Sequence, residues 1–186
     1  MAFSFGSVIL VFLIAGFAWL IWVYNGFIRR KNTMREAWSG IDVQLKRRHN
    51  LIPNLVETVK GYAGHEQQTL DSLTELRAGV SDRNDVAKVA SHENMLSRAL
   101  GGIFAVSENY PDLKANSTFL ELQQQLAETE EQVQLARRYY NGAVRDWNIM
   151  VESFPSNLIA LGFRFHLAEF FEINLATERA VPQVNF

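Results

Sequence analysis

Cysteine is absent from the 186 residues, which excludes disulfides, thiolate metal sites and a cysteine-linked lipid anchor. Proline is scarce, at four positions, so long uninterrupted helices are permitted. Charge is missing altogether from residues 1 to 28, where the sequence from Val8 to Tyr24 reads VILVFLIAGFAWLIWVY. A helix of roughly 20 apolar residues crosses a bilayer core of about 30 Å, so residues 5–28 are read as a transmembrane helix after a short external N-terminus at 1–4. Trp19, Trp22 and Tyr24 lie toward its C-terminal end, where amphipathic rings favour the headgroup level. A cleaved signal peptide would want basic residues before a shorter apolar core, and here the N-terminus is uncharged.

Arg29, Arg30, Lys31 and Arg35 follow the span with no charge before it. That asymmetry puts the N-terminus outside and the bulk of the chain in the cytoplasm. Residues 29–48 hold seven basic and two acidic side chains, and the remainder 11 basic and 18 acidic, so a net charge of -2 conceals a basic collar and an acidic body. Beside a membrane such a collar suits anionic lipid; nucleic acid is not expected as a partner.

Beyond residue 33 the pattern is helical, and the expected fold is all-α: a transmembrane helix, an antiparallel bundle of long coiled-coil-like helices over 29–154, and a short helical C-terminal tail. Phe119, Leu122, Leu126, Thr129, Val133, Ala136, Tyr140, Ala143, Trp147, Met150 and Phe154 recur at alternating steps of three and four, predicting a helix over 118–154. Thr118 and Glu121 form a capping-box pattern before it. A first stripe runs Met34, Trp38, Ile41, Leu45, Arg48, Ile52, Leu55, Val59, Tyr62, Glu66, Thr69, Leu73, predicting one helix over 33–79, kinked at Pro53 and ended by Gly79. A third, with Val89, Glu93, Leu96, Leu100 and Ile103, predicts a helix over 83–109. An up-down-up path through these three helices would carry Phe154 to the end far from the membrane. There the tail, 155–186, would cap the bundle or present Phe163, Phe165, Phe170 and Phe171 to a partner. Met34, Trp38 and Ile41 would lack cover from the shorter second helix, which argues for self-association.

Catalytic and metal-binding patterns fail. His65-Glu66 and His92-Glu93 lack the second histidine four residues on that a zinc-binding helix needs, since those positions are Thr69 and Leu96. The residues three before the four histidines are Lys46, Tyr62, Val89 and Phe163, so the Glu-x-x-His pattern of di-iron bundles is missing as well. No Gly-rich phosphate loop or nucleophile elbow occurs, and no cofactor is expected. The odd residues are charges inside the stripes, Arg48, Glu66 and Glu93, read either as a buried ionic network or as long side chains reaching out from a bundle edge.

These residues also carry a resemblance. NTMREAWSGIDVQLKRRHNLIPNLVETVKGYAGHEQQTL followed by DSL from Asn32, ENYPDLKANSTF from Glu108, ETEEQVQLARRYYNGAVRDWN from Glu128, the Phe154-Pro155 step and the ending Pro182 to Phe186 resemble the LemA family along the whole chain. The resemblance implies a bacterial inner-membrane protein with a single span and a long-helix bundle, and no catalytic residues. It also implies association with membrane quality-control proteins, including a membrane metalloprotease. The functional expectation is a membrane-anchored scaffold, homo-oligomeric and not an enzyme; the alternative is a lipid-binding or membrane-shaping oligomer.

Overall fold

In a computed structural model the chain is described at residues 5–63, 66–79 and 85–172, and among these it is helical with no strand. The elements are α1 (Phe5–Lys60), α2 (Gln67–Arg77), α3 (Val86–Ser107), α4 (Pro111–Lys114), α5 (Ser117–Glu152) and α6 (Ser156–Phe163). The all-α expectation holds. The chain divides into two compact units. One holds the residues up to Ser39 with Arg138–Ala168, and the other runs from Gly40 to Arg137 and resumes at Glu169.

α1 joins the apolar span to the bundle helix without a break and continues through Pro53. It ends at Lys60, well short of the expected residue 79. The sequence Gly61-Tyr62-Ala63-Gly64 explains the stop, because two glycines in four residues weaken helix continuation by about 1 kcal/mol each. The last turn closes through bonds from the Tyr62 and Ala63 N–H groups to the Val59 carbonyl.

In the second unit the chain then doubles back. α2 ends with Gly79 at a φ of 76°, a left-handed position that glycine adopts freely, as expected for a helix stop. Gly79 lies beside His49 of α1. α3 starts at Asp85, whose carboxylate accepts from the Lys88 N–H, and packs against α2. The N-terminus of α5 is capped by Asn116, whose Oδ1 accepts from the Phe119 N–H at 3.0 Å, rather than by Thr118. The core is aliphatic: Ile52, Leu55, Val59, Leu70, Leu73, Leu96, Ile103 and Leu113, with Phe119 at one end. Three of the expected stripes converge there.

In the first unit α5 runs antiparallel to α1. Trp38 meets Tyr140 at 5.3 Å between ring centroids, and Phe27 meets Trp147 edge-on at 5.6 Å. The stripe of α5 is therefore buried as far as Trp147, while Phe154 is exposed. The turn after Lys60 adds a reversal that the expected up-down-up path lacked, so the end of α5 and the tail as far as Ala168 return to the edge of the apolar span; residues 173–186 of the tail lie outside the described residues. Phe154 is not at the far end from it. α6 packs Ile159 and Ala160 onto Val23, Phe27 and Trp147. The following segment is clasped to α5: Trp147 Nε1 donates to the His166 carbonyl (2.8 Å), and Asn148 exchanges two bonds with Ala168 (3.0 and 2.8 Å).

Candidate functional site

Charges gather in the second unit where α1, α3 and α5 face one another. Arg48 and Glu93 occupy stripe positions that sequence periodicity alone would fill with apolar residues, and both side chains are buried. Arg48 Nη2 donates to Ser97 Oγ at 2.8 Å. Arg48 Nη1 lies 3.1 Å from Glu130 Oε2 and 3.6 Å from Glu93 Oε2. These atoms approach without the angles of a hydrogen bond, so the attraction is one of charge. His49 Nε2 lies 2.9 Å from Glu93 Oε1; the ring N–H donates and the carboxylate accepts. His92 Nδ1 stands off at 3.9 Å from the same oxygen.

Arg137 completes the group. It is buried, and its guanidinium lies 4.6 Å from the Phe171 ring centre, a cation–π contact. Burial pushes its pKa below the ordinary arginine value; Glu130 opposes the fall, Arg48 adds to it and Glu93 opposes it. An arginine titrates so far above neutrality that the group stays charged. Two arginines thus face two glutamates at the edge of an aliphatic core, three of the four side chains buried and Glu130 partly exposed. Removing one partner of such a set strands the other's charge, which makes the set a strong constraint on how the helices align.

The structure brings Arg48 and Glu93 together and leaves Glu66 out: it stands at the start of α2, half-buried. His49, Ser97, Glu130 and Arg137 were not singled out from the sequence. Glu130 and Arg137 follow Leu126 and Val133 by four residues, so they sit on the shoulder of the α5 stripe, and their spacing of one heptad was the available signal. Among the described residues no three His, Cys, Asp or Glu side chains gather so as to hold a metal ion. A shallow cleft of about 430 Å³ opens beside Arg48, Ser97 and Glu130, bordered by Leu100, Phe104 and Leu126.

The other expected residues lie elsewhere. Arg29, Arg30 and Arg35 are exposed on α1 and Lys31 is half-buried. Phe171 is 2% exposed against Arg137, whereas Phe170 is exposed. In the first unit Phe165 is half-buried among Phe27, Tyr24 and Trp147, and Phe163 contacts Tyr24 at 4.8 Å. Phe165 and Phe171 therefore act as caps. Met34 and Trp38 are half-buried and Ile41 is fully buried, which removes the exposed patch that argued for self-association.

Comparison with known proteins finds related sequences. The chain is 27% identical over 140 residues to a protein LemA of Metamycoplasma hominis, covering 73% of this chain and 63% of the relative, so it spans less than two thirds of that protein. It is 26% identical over 186 residues to magnetosome protein MamQ 2 of Paramagnetospirillum magneticum, covering 86% and 68%. A magnetosome protein MamQ of Magnetospirillum gryphiswaldense is 20% identical over 200 residues, covering 92% and 74%. The pattern of the LemA family matches residues 37–186, from the first turns of the bundle helix to the last residue, and the chain belongs to the LemA family.

Proposed function

We propose that this protein is a membrane-anchored scaffold that acts by binding other proteins, held in a bacterial inner membrane by α1 with its N-terminus outside. The observation that carries the reading is α1 itself. Its first 18 residues carry no charge, expose their apolar side chains and pass without a break into a packed helical body. Exposed apolar side chains of that length are stable only in lipid. The basic residues Arg29, Arg30, Lys31 and Arg35 support a cytoplasmic body. The charged cluster supports binding rather than turnover, because its members are engaged with one another and mostly buried. No name among these relatives denotes a reaction. Self-association and capture of a membrane metalloprotease belong to this proposal as candidate partnerships.

Photo-crosslinking side chains placed singly at the exposed positions Met95, Leu120, Leu135 and Tyr139 test it in cells. The expected result is a discrete adduct with another protein at some positions and not at others. Absence of any adduct from all four would defeat the scaffold reading and leave the lipid-binding alternative. An alkaline phosphatase fused after Phe186 should be inactive if the body is cytoplasmic.

A further inference from the structure

The first unit contains a helix that is apolar on both sides. α6, Ser-Asn-Leu-Ile-Ala-Leu-Gly-Phe, carries no charge, and the charges nearest in sequence are Glu152 before it and Arg164 after it. Its inner face is accounted for: Ile159 and Ala160 are buried against Val23, Phe27 and Trp147, and Phe163 meets Tyr24. Its outer face is not. Leu158 is 61% exposed and Leu161 81%, and Phe154, just before the helix, is 80% exposed. A surface helix in water keeps polar residues on its outer side, whereas a helix apolar all round is enclosed by protein or lipid.

What covers this face follows from where α6 is fastened. The span read at residues 5–28 ends one turn beyond Tyr24, just before the first charges. On α1 the residues that α6 packs on are Val23, Tyr24 and Phe27, in the last turns of that span, so its outer leucines stand at the level where the span leaves the hydrocarbon. Tyr24, Phe163 and Phe165 form a ring cluster there, with centroids 4.8 to 6.3 Å apart, and the Tyr24 ring is of the amphipathic kind that favours the headgroup boundary. The charged side chains, Arg29 and Arg30, begin one turn farther along α1.

We propose that α6 is a second membrane-contacting element: a short helix lying in the interface of the same leaflet, with Phe154, Leu158 and Leu161 inserted among the acyl chains beside α1. Such a helix adds a lateral footprint to the single span and fixes how α1 is rotated about its own axis in the bilayer. This rests on the reading of α1 as a membrane span, and the test separates the two.

The chain has no cysteine, so one introduced at Leu161 is the sole thiol, and its exposure means the substitution disturbs no packing. Full-length protein carrying L161C, W22C in the span or M95C on exposed α3 is labelled with an environment-sensitive fluorophore. Each is reconstituted into phosphatidylethanolamine–phosphatidylglycerol vesicles with or without lipids brominated on their acyl chains. The expected result is quenching at positions 22 and 161 and none at 95. Quenching at 22 but not at 161 overturns the proposal and leaves the span intact, with α6 facing water or a protein. Failure at both 22 and 161 overturns the span and the proposal together.

Discussion

The first unit is packed with rings and the second with branched aliphatic chains. Tyr24, Phe27, Trp147 and Phe165 interlock in the one, while Ile52, Leu55, Val59, Leu70 and Leu96 fill the other. The polar groups differ in the same sense. In the ring-packed unit the Trp147 indole and the Asn148 amide make neutral bonds with backbone. The aliphatic unit holds Arg48, Glu93, Glu130 and Arg137 in a charged set. Neutral bonding suits a place next to an apolar span, where an ion would be costly to desolvate, and rings tolerate the half-wet boundary of a bilayer. A charged set tolerates only one alignment of its helices, which suits a core of interchangeable leucines that could otherwise slip by a turn. Alignment is thus specified by shape in one unit and by charge in the other.

The comparison is broken most directly at Glu93. Glu93→Ala leaves Arg48 buried with, among the described residues, only Glu130, itself partly exposed, as a carboxylate partner, and should cost about 3–5 kcal/mol in urea unfolding of the full-length protein in detergent. Adding Arg48→Met should recover much of that loss, because the stranded charge is gone. If the double variant is no better than the single, charge is not what aligns this unit. In the other unit Phe27→Ala should cost about 3 kcal/mol, toward the low end for such a truncation, because the flexible Met34 and Met150 nearby can settle into the space. A second substitution of Trp147 should then add less than its own single effect, since the two rings share one contact.

Asn148→Ala removes both bonds to Ala168 and should cost about 2 kcal/mol. Limited proteolysis should then cut between residues 164 and 168 while the second unit resists. Equal resistance of both segments would show that the clasp is redundant. The smallest effect belongs to Asp85. The Lys88 side chain and backbone N–H hold its carboxyl below the ordinary carboxylate range. Its folded pKa is depressed, so it contributes stability at neutral pH that disappears as pH falls through the carboxylate range. Asp85→Asn should therefore lower the urea midpoint slightly at neutral pH, with the difference shrinking as pH falls through the carboxylate range; a difference that stays constant into acid would refute it.

Much of the fold was legible because alternation by three and four is a dense signal. The stripes from Phe119 to Trp147 and from Val89 to Ile103 are buried almost position for position. The break at Gly61 was hidden because the first stripe keeps its phase through Tyr62, Glu66 and Thr69 on both sides of it. Periodicity is blind to a chain that turns and resumes in register. That one missed reversal displaced the tail, and with it the expected positions of Phe163 and Phe165. In the charged cluster the sequence exposed Arg48 and Glu93, whose charges interrupt a stripe. It concealed Glu130 and Arg137, which stand on a stripe's shoulder where charge is common.

Asn148 also bears on how the chain reaches its final arrangement. Its paired bonds with Ala168 close a loop of 20 residues, the sort of closure that extracellular proteins assign to a disulfide. A covalent bridge would fix the loop once and answer to reductants. An amide clasp ignores redox chemistry and opens and shuts on thermal energy, so with α1 as the proposed membrane span it could be made after that helix had entered the bilayer. On that proposal the loop carrying α6 would be free to seat last, against Val23 and Phe27, after the span.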